Sequence, residues 1–164
     1  MPMPVFSSSI STNLPSIPSA SDPELQTELV TVYNAIQALH QEMTRWGRVQ
    51  CNFTEAATAG QELTFFASAG ILNARLANAT DNTRQAVGFA GATVGINTTG
   101  EVILIGVNNF LSGLTPGTLY YLSTTNGTLS SVAPVGVGKI KQPVGFALST
   151  TNLLHIHNPN FIQL

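Results

Sequence analysis

The sequence predicts a mainly β protein: an N-terminal extended arm, one trimerising α-helix, then a small β-sandwich or barrel built from an internal duplication. Three observations predict it. Residues 1–21 are rich in Pro and Ser and carry no charge. An unbroken heptad pattern of apolar residues then runs from Leu25 to Trp46. From Gln50 onward, short apolar runs alternate with Gly, Asn and Pro at regular spacing, and the text repeats itself.

In the arm (1–21), Pro2, Pro4, Pro15 and Pro18 oppose a helix and favour extended chain. A pure linker has no need of Val5, Phe6, Ile10, Leu14 and Ile17, so these are the candidate anchors of an arm that orders on a partner. A plain disordered tail is the alternative.

The helical segment (22–47) starts at Asp22-Pro23-Glu24. Asp22 can cap free amides, Pro23 suits the first helical turn, and Glu24 complements the dipole. Gly47 supplies a left-handed stop. Leu29, Ile36 and Met43 fall at a positions, and Leu25, Val32, Leu39 and Trp46 at d positions. A strict 3.5-residue period favours self-association, and β-branched Val32 at d disfavours a parallel dimer. Three strands are the expectation, with Tyr33 and His40 flanking the seam. The competing reading is an amphipathic helix lying on its own domain.

The β-domain (48–164) contains Gln85–Ala90 (QAVGFA) and Gln142–Ala147 (QPVGFA), 57 residues apart. Gly60 and Gly117, and Gly70 and Gly127, recur at the same shift. Leu63–Phe66 lies over Leu119–Leu122 at a shift of 56, which implies one indel, and an internal duplication is inferred, about 59–110 and about 116–162. Each copy reads as a strand (Glu62–Ser68; Thr118–Thr124), a tight turn at Gly70 or Asn126-Gly127, and a second short strand. A Val-Gly-Phe-Ala strand and a closing strand (Val102–Asn108; Leu153–His157) follow, giving about eight strands. The glycine shared by the Val-Gly-Phe-Ala strands predicts a bulge or a close backbone crossing.

Only 14 of 164 residues are charged and the net charge is −2, which excludes a protein gripping nucleic acid through its overall charge. No apolar run reaches the length of a membrane span. The first residues lack the basic and apolar regions of a secretory signal, so assembly in a reducing cytoplasm is expected. Lone Cys51 reads as a small buried hydrophobe. No nucleophile–base set and no phosphate-binding glycine loop stands out. Glu55, Glu62 and Glu101 read as scattered single charges, and Lys139 and Lys141 as a soluble strand edge. His155 and His157 lie two apart on one strand face. Three such pairs on a threefold axis would supply six nitrogens to a metal ion; the plainer reading is an exposed polar face.

Leu111-Ser-Gly-Leu-Thr-Pro-Gly-Thr-Leu-Tyr-Tyr-Leu-Ser123, Gly127-x-Leu129 and Gln142-Pro-Val-Gly-Phe-Ala-Leu-Ser149 together resemble β-repeats of tailed-bacteriophage virion proteins. Such repeats occur in head decoration or head-fibre proteins and in tail-fibre modules. Asp22-Pro-Glu-Leu25 and Val32-Tyr-Asn-Ala-Ile36 look like the short trimerising helix that precedes them. The likeness spans roughly residues 22–157. It implies a homotrimer without catalysis or cofactor, bound to other virion proteins or to the host surface. The expectation is a capsid decoration, or cement, protein on the capsid exterior. Its arm and helix would clamp the major capsid protein, with no nucleic acid or membrane partner. The alternative is a tail-fibre or tail-adaptor protein, in which Tyr120 or Tyr121 stacks host sugars. A polysaccharide-modifying enzyme using Glu55, Glu62 or Glu101 is the reading from a different class.

Overall fold

A computed structural model describes residues 23–45, 47–80, 82–156 and 161–164, with helix side chains described over residues 27–39. The arm anchors Val5, Phe6, Ile10, Leu14 and Ile17 lie outside the described residues, as do Asp22, Trp46, Asp81 and His157. The chain divides between Trp46 and Gly47 into two units. In the first, α1 spans Pro23–Arg45. It starts where Pro can occupy the first turn, and Gly47 follows with φ +74, the left-handed geometry of a helix stop.

The second unit is mainly β. A closed five-stranded barrel has the order β1-β3-β2-β4-β5. Its strands are β1 (Arg48–Phe53), β2 (Glu62–Ser68), β3 (Ile71–Leu76), β4 (Gly88–Ala90) and β5 (Thr98–Ile103). β2 has the bounds expected from sequence. It turns into β3 through Ala69 (φ 51) and Gly70 (φ 77) alone. Two consecutive left-handed residues between paired strands define a type I′ hairpin. β1 closes the barrel, antiparallel to β5 from Arg48↔Ile103 to Phe53↔Thr98 and parallel to β3 at Asn52↔Asn73. Phe53, Leu63, Ala74, Ala90, Val94 and Val102 fill it.

A second, open sheet has the order β6-β11-β10-β7-β8. It comprises β6 (Gly106–Asn108), β7 (Leu119–Leu122), β8 (Leu129–Ser130), β10 (Pro143–Ala147) and β11 (Leu153–His155). β9 (Ile140–Lys141) pairs separately with β12 (Ile162–Gln163). Leu122, Ile140, Val144 and Leu153 form a second core with Ala77, Ala79 and Ala86 from the β3–β4 connection. The Gln142 side chain ties the halves together: it accepts from Ala86 N at 2.7 Å and donates to Ala86 O at 2.8 Å.

Two sequence expectations are corrected here. The closing strand Val102–Asn108 is two strands. β5 ends at Ile103, and Gly106 (φ +143) lets the chain leave the barrel and enter the second sheet as β6. Asn126-Gly127 is not a two-residue hairpin. It sits in the loop 123–128, which is drawn onto the first half: Gly127 N donates to Ala77 O at 2.7 Å and Gly127 O accepts from Glu62 N at 3.0 Å.

Hydrogen bonding recurs at the 57-residue shift. Glu62↔Phe89 and Leu63↔Gly88 correspond to Leu119↔Phe146 and Tyr120↔Gly145. Gly60 N→Ala90 O and Gly117 N→Ala147 O are both 2.8 Å. The shared glycine makes a close backbone crossing in both halves. A Cβ on Gly88 would lie 2.4 Å from Ile103 O, and one on Gly145 would lie 2.1 Å from Leu154 O. In the second half a register shift between Pro143 and Gly145 adds the bulge.

Candidate functional site

On α1, Leu29, Val32, Ile36 and Leu39 are all exposed, Val32 at 56% and Leu39 at 63%. A heptad stripe is apolar surface, and burying one such side chain is worth about 1.5–3 kcal/mol. The side chains of Leu25 and Met43, the seam's other described positions, are outside the described set. The seam is thus an open apolar face on a helix whose sequence spacing suits a coiled coil.

The charges of the β-unit behave differently. Glu55, Glu62 and Glu101 are not scattered single charges. Arg84 grips Glu55 with both terminal nitrogens, Nη2 to Oε1 at 3.0 Å and Nη1 to Oε2 at 3.3 Å. Leu76 N also donates to Glu55 Oε2 at 3.1 Å. Arg48 holds Glu101 at 2.6 Å across the β1–β5 pair. The Arg75 guanidinium lies 4.8 Å from the Phe66 ring centroid, and Lys141 Nζ lies 5.8 Å from that of Tyr121. Both ion pairs stay partly exposed, and the rest of this charge-poor surface is hydroxyls, amides and apolar groups.

His155 overturns the reading of an exposed polar face. It is buried on β11, and its Nε2 lies 3.1 Å from Oε2 of Glu62, which is 0% exposed. The Phe89 ring packs at 5.4 Å. Alternation turns His155 inward, between the second sheet and the outer side of β2 and β4. Among the described residues His155 Nδ1 and Glu62 Oε1 have no hydrogen-bond partner. Burial pushes the Glu62 carboxyl above its ordinary range, while the charge and hydrogen bond of His155 pull it partway back. Local sequence hides this pair, since 93 residues separate its members. The 56-residue alignment of Leu63–Phe66 with Leu119–Leu122 is corrected by the strand register, which runs at 57 and sets Glu62, an acid, in the place that apolar Leu119 holds in the second half.

With His155 facing Glu62, its proposed metal partner His157 is outside the described residues. Among the described residues no three His, Cys, Asp or Glu side chains gather to hold a metal ion. Cys51 is a free, buried thiol, pushed above its ordinary pKa by that burial. Tyr120 is also buried, its hydroxyl accepting from Thr115 N at 3.0 Å, so of the two tyrosines only Tyr121 reaches the surface. Among the described residues no helix is long and apolar enough to cross a membrane.

A shallow groove of about 310 Å³ opens at the β1–β3 seam, lined by Asn52, Thr54, Phe66, Ser68, Ile71 and Asn73. Asn52 Nδ2 donates to Asn73 Oδ1 at 2.9 Å, and Asn73 Nδ2 donates to Ile71 O at 2.9 Å. Phe66, Ala69 and Ile71 make the larger part of the lining apolar, and the amides and hydroxyls of Asn52, Thr54, Ser68 and Asn73 make the rest polar and uncharged. No known protein-family model matches the chain, and no curated protein matches it in sequence.

Proposed function

We propose that this protein is a structural virion protein of a tailed bacteriophage, a homotrimeric capsid decoration or cement protein that stabilises the major capsid protein lattice. The observation that carries the reading is the open heptad seam of Leu29, Val32, Ile36 and Leu39, an apolar stripe that calls for partner helices. The β-unit supports it, because it carries few charges and so offers surfaces that neighbours can cover with little desolvation. The uncharged arm, with Val5, Phe6, Ile10, Leu14 and Ile17, would supply three tethered anchors per trimer. The mechanism is mechanical: area buried across capsomer boundaries raises the cost of separating them. We further propose that the two β halves descend from an internal duplication. The recurrence of strand register and of the glycine crossing supports it.

The neutral groove at Asn52, Phe66 and Asn73 favours a second reading, a tail-fibre or tail-adaptor protein that binds host glycan. Imaging of purified virions carrying this chain separates the two. Density on the capsid shell is expected, and density confined to the tail would end the cement reading. Light scattering checks the shared premise. A trimer is expected at micromolar concentration, and Leu39→Asp should reduce it to monomer.

A further inference from the structure

The chain holds a single Asn-Gly step, Asn126-Gly127, in the loop 123–128. Such a step carries its own chemistry. With no Cβ in the way, the glycine's main-chain nitrogen can reach the side-chain carbonyl carbon of the asparagine before it. Having lost its proton, that nitrogen attacks Asn126 Cγ. A C–N bond forms, the bond to the side-chain nitrogen breaks, and ammonia leaves a cyclic succinimide behind. Water then opens the ring at either carbonyl, giving aspartate or isoaspartate. In sum one water is taken up and one ammonia released, and no oxidant or other reactant is needed.

The fold holds both reacting groups. Gly127 is buried and its N–H is spent on Ala77 O at 2.7 Å, while its carbonyl accepts from Glu62 N at 3.0 Å. Asn126 Oδ1 accepts at 2.6 Å from Nδ2 of Asn78, which is buried. Asn78 is fixed in turn, donating from N to Arg84 O at 3.0 Å and accepting at Oδ1 from Thr80 N at 3.0 Å. Ser123 O, at the head of the loop, accepts from Ala79 N at 2.8 Å. Glu62, Ala77, Asn78 and Ala79 all belong to the first half, and the held pair belongs to the second. Asn126 itself is exposed, so water and base reach it. The electrophile is therefore wet and the nucleophile locked. A proton shared with a carbonyl oxygen is held in place, and a nitrogen pinned to the first half cannot swing onto Cγ.

We propose that Asn126 is a deamidation site guarded by the seating of its loop on the first half, and that it converts only in openings that detach the loop. Its rate is then the unguarded rate multiplied by the fraction of time spent open. The step runs one way. Isoaspartate adds one carbon to the main chain just before Gly127, so Gly127 N and O can no longer meet Ala77 O and Glu62 N together. No Asp or Glu follows Glu101, so either product also gives the second half its first carboxylate side chain. A passing separation of the halves is thereby recorded as a lasting loosening. The proposal depends on neither the trimer nor the groove.

The test incubates the full chain at mildly alkaline pH, folded and in denaturing urea. Mass spectrometry follows the peptide that contains Asn126, and ion exchange follows the added charge. Conversion is expected in the unfolded chain and should be slower by about tenfold or more in the folded one. Gln142→Ala cuts the tie to Ala86 outside the loop, so it should speed conversion of the folded chain severalfold and leave the unfolded rate unchanged. Should that variant not fold, urea below the unfolding transition of the parent chain serves in its place. Conversion should then rise with urea in step with hydrogen exchange at the Gly127 amide. Equal rates in the folded and unfolded chains overturn the guard, and no conversion in the unfolded chain overturns the site. A folded-state rate that responds to neither Gln142→Ala nor urea shows reaction within the seated loop and overturns control by detachment.

Discussion

Phe89 and Phe146 hold the same register position in the two β halves, opposite Glu62 and Leu119 respectively. Phe89 is 1% exposed and Phe146 45%. The backbone plan around them is shared down to the glycine whose missing Cβ lets the next strand pass. What differs is the neighbour. The first half closes into a barrel with β1 and then receives the second sheet on its outer side. The second half stays an open sheet, and among the described residues nothing packs over Phe146 on that side. The burial of these two residues is set by what packs over each half, and only secondarily by their place within it.

The sharpest way to break that comparison is to truncate both phenylalanines. Phe89→Ala should cost about 3–5 kcal/mol, whereas Phe146→Ala, measured in the Leu39→Asp background, should cost about 1 kcal/mol or less. Equal losses in chemical denaturation would mean that the two faces are covered alike. Next in size are Gly88→Ala and Gly145→Ala, which should each destabilise by about 3 kcal/mol. Here the two halves should agree, since both crossings put a carbonyl oxygen under 2.5 Å from the new methyl. A mild effect at one of them would show that the crossing matters in one half only.

Glu62→Gln probes the position where the halves differ chemically. Because the folded carboxyl is raised above its ordinary value, its contribution to stability is fully present below that value. It is lost as pH rises through the folded value. The variant cannot ionise there, so its melting temperature should gain on the parent's as pH rises from about 4 to about 9. A difference that stays flat with pH would place the carboxyl in water. The smallest effect belongs to Arg48→Ala. Its pair with Glu101 is partly solvated, so thermal melts should register a loss under about 1 kcal/mol.

Much of the fold was legible locally. Heptad spacing and the Asp22-Pro23 start marked the helix, alternation marked β2 to the residue, and the repeated Val-Gly-Phe-Ala marked β4, β10 and the glycine crossing. The features that failed were those set by distant neighbours. Asn126-Gly127 has hairpin chemistry, yet hydrogen bonds to Ala77 and Glu62 spread it into a longer loop. His155 has a polar side chain and reads as solvent-facing, yet Glu62 makes its burial tolerable.

The amino-acid sequence by itself determined the β-rich class, the single helix with its apolar stripe, and the shared backbone plan of the two halves. These follow from periodicity and from residues such as Gly88, Gly145 and Gly70, whose backbone roles act over a few residues. Only the tertiary structure decided which half is sealed and which is open, that β6 leaves the barrel for the second sheet, and that a glutamate and a histidine 93 residues apart share one buried contact. Those outcomes depend on which surfaces meet, and local spacing carries no record of a neighbour that arrives from the other half of the chain.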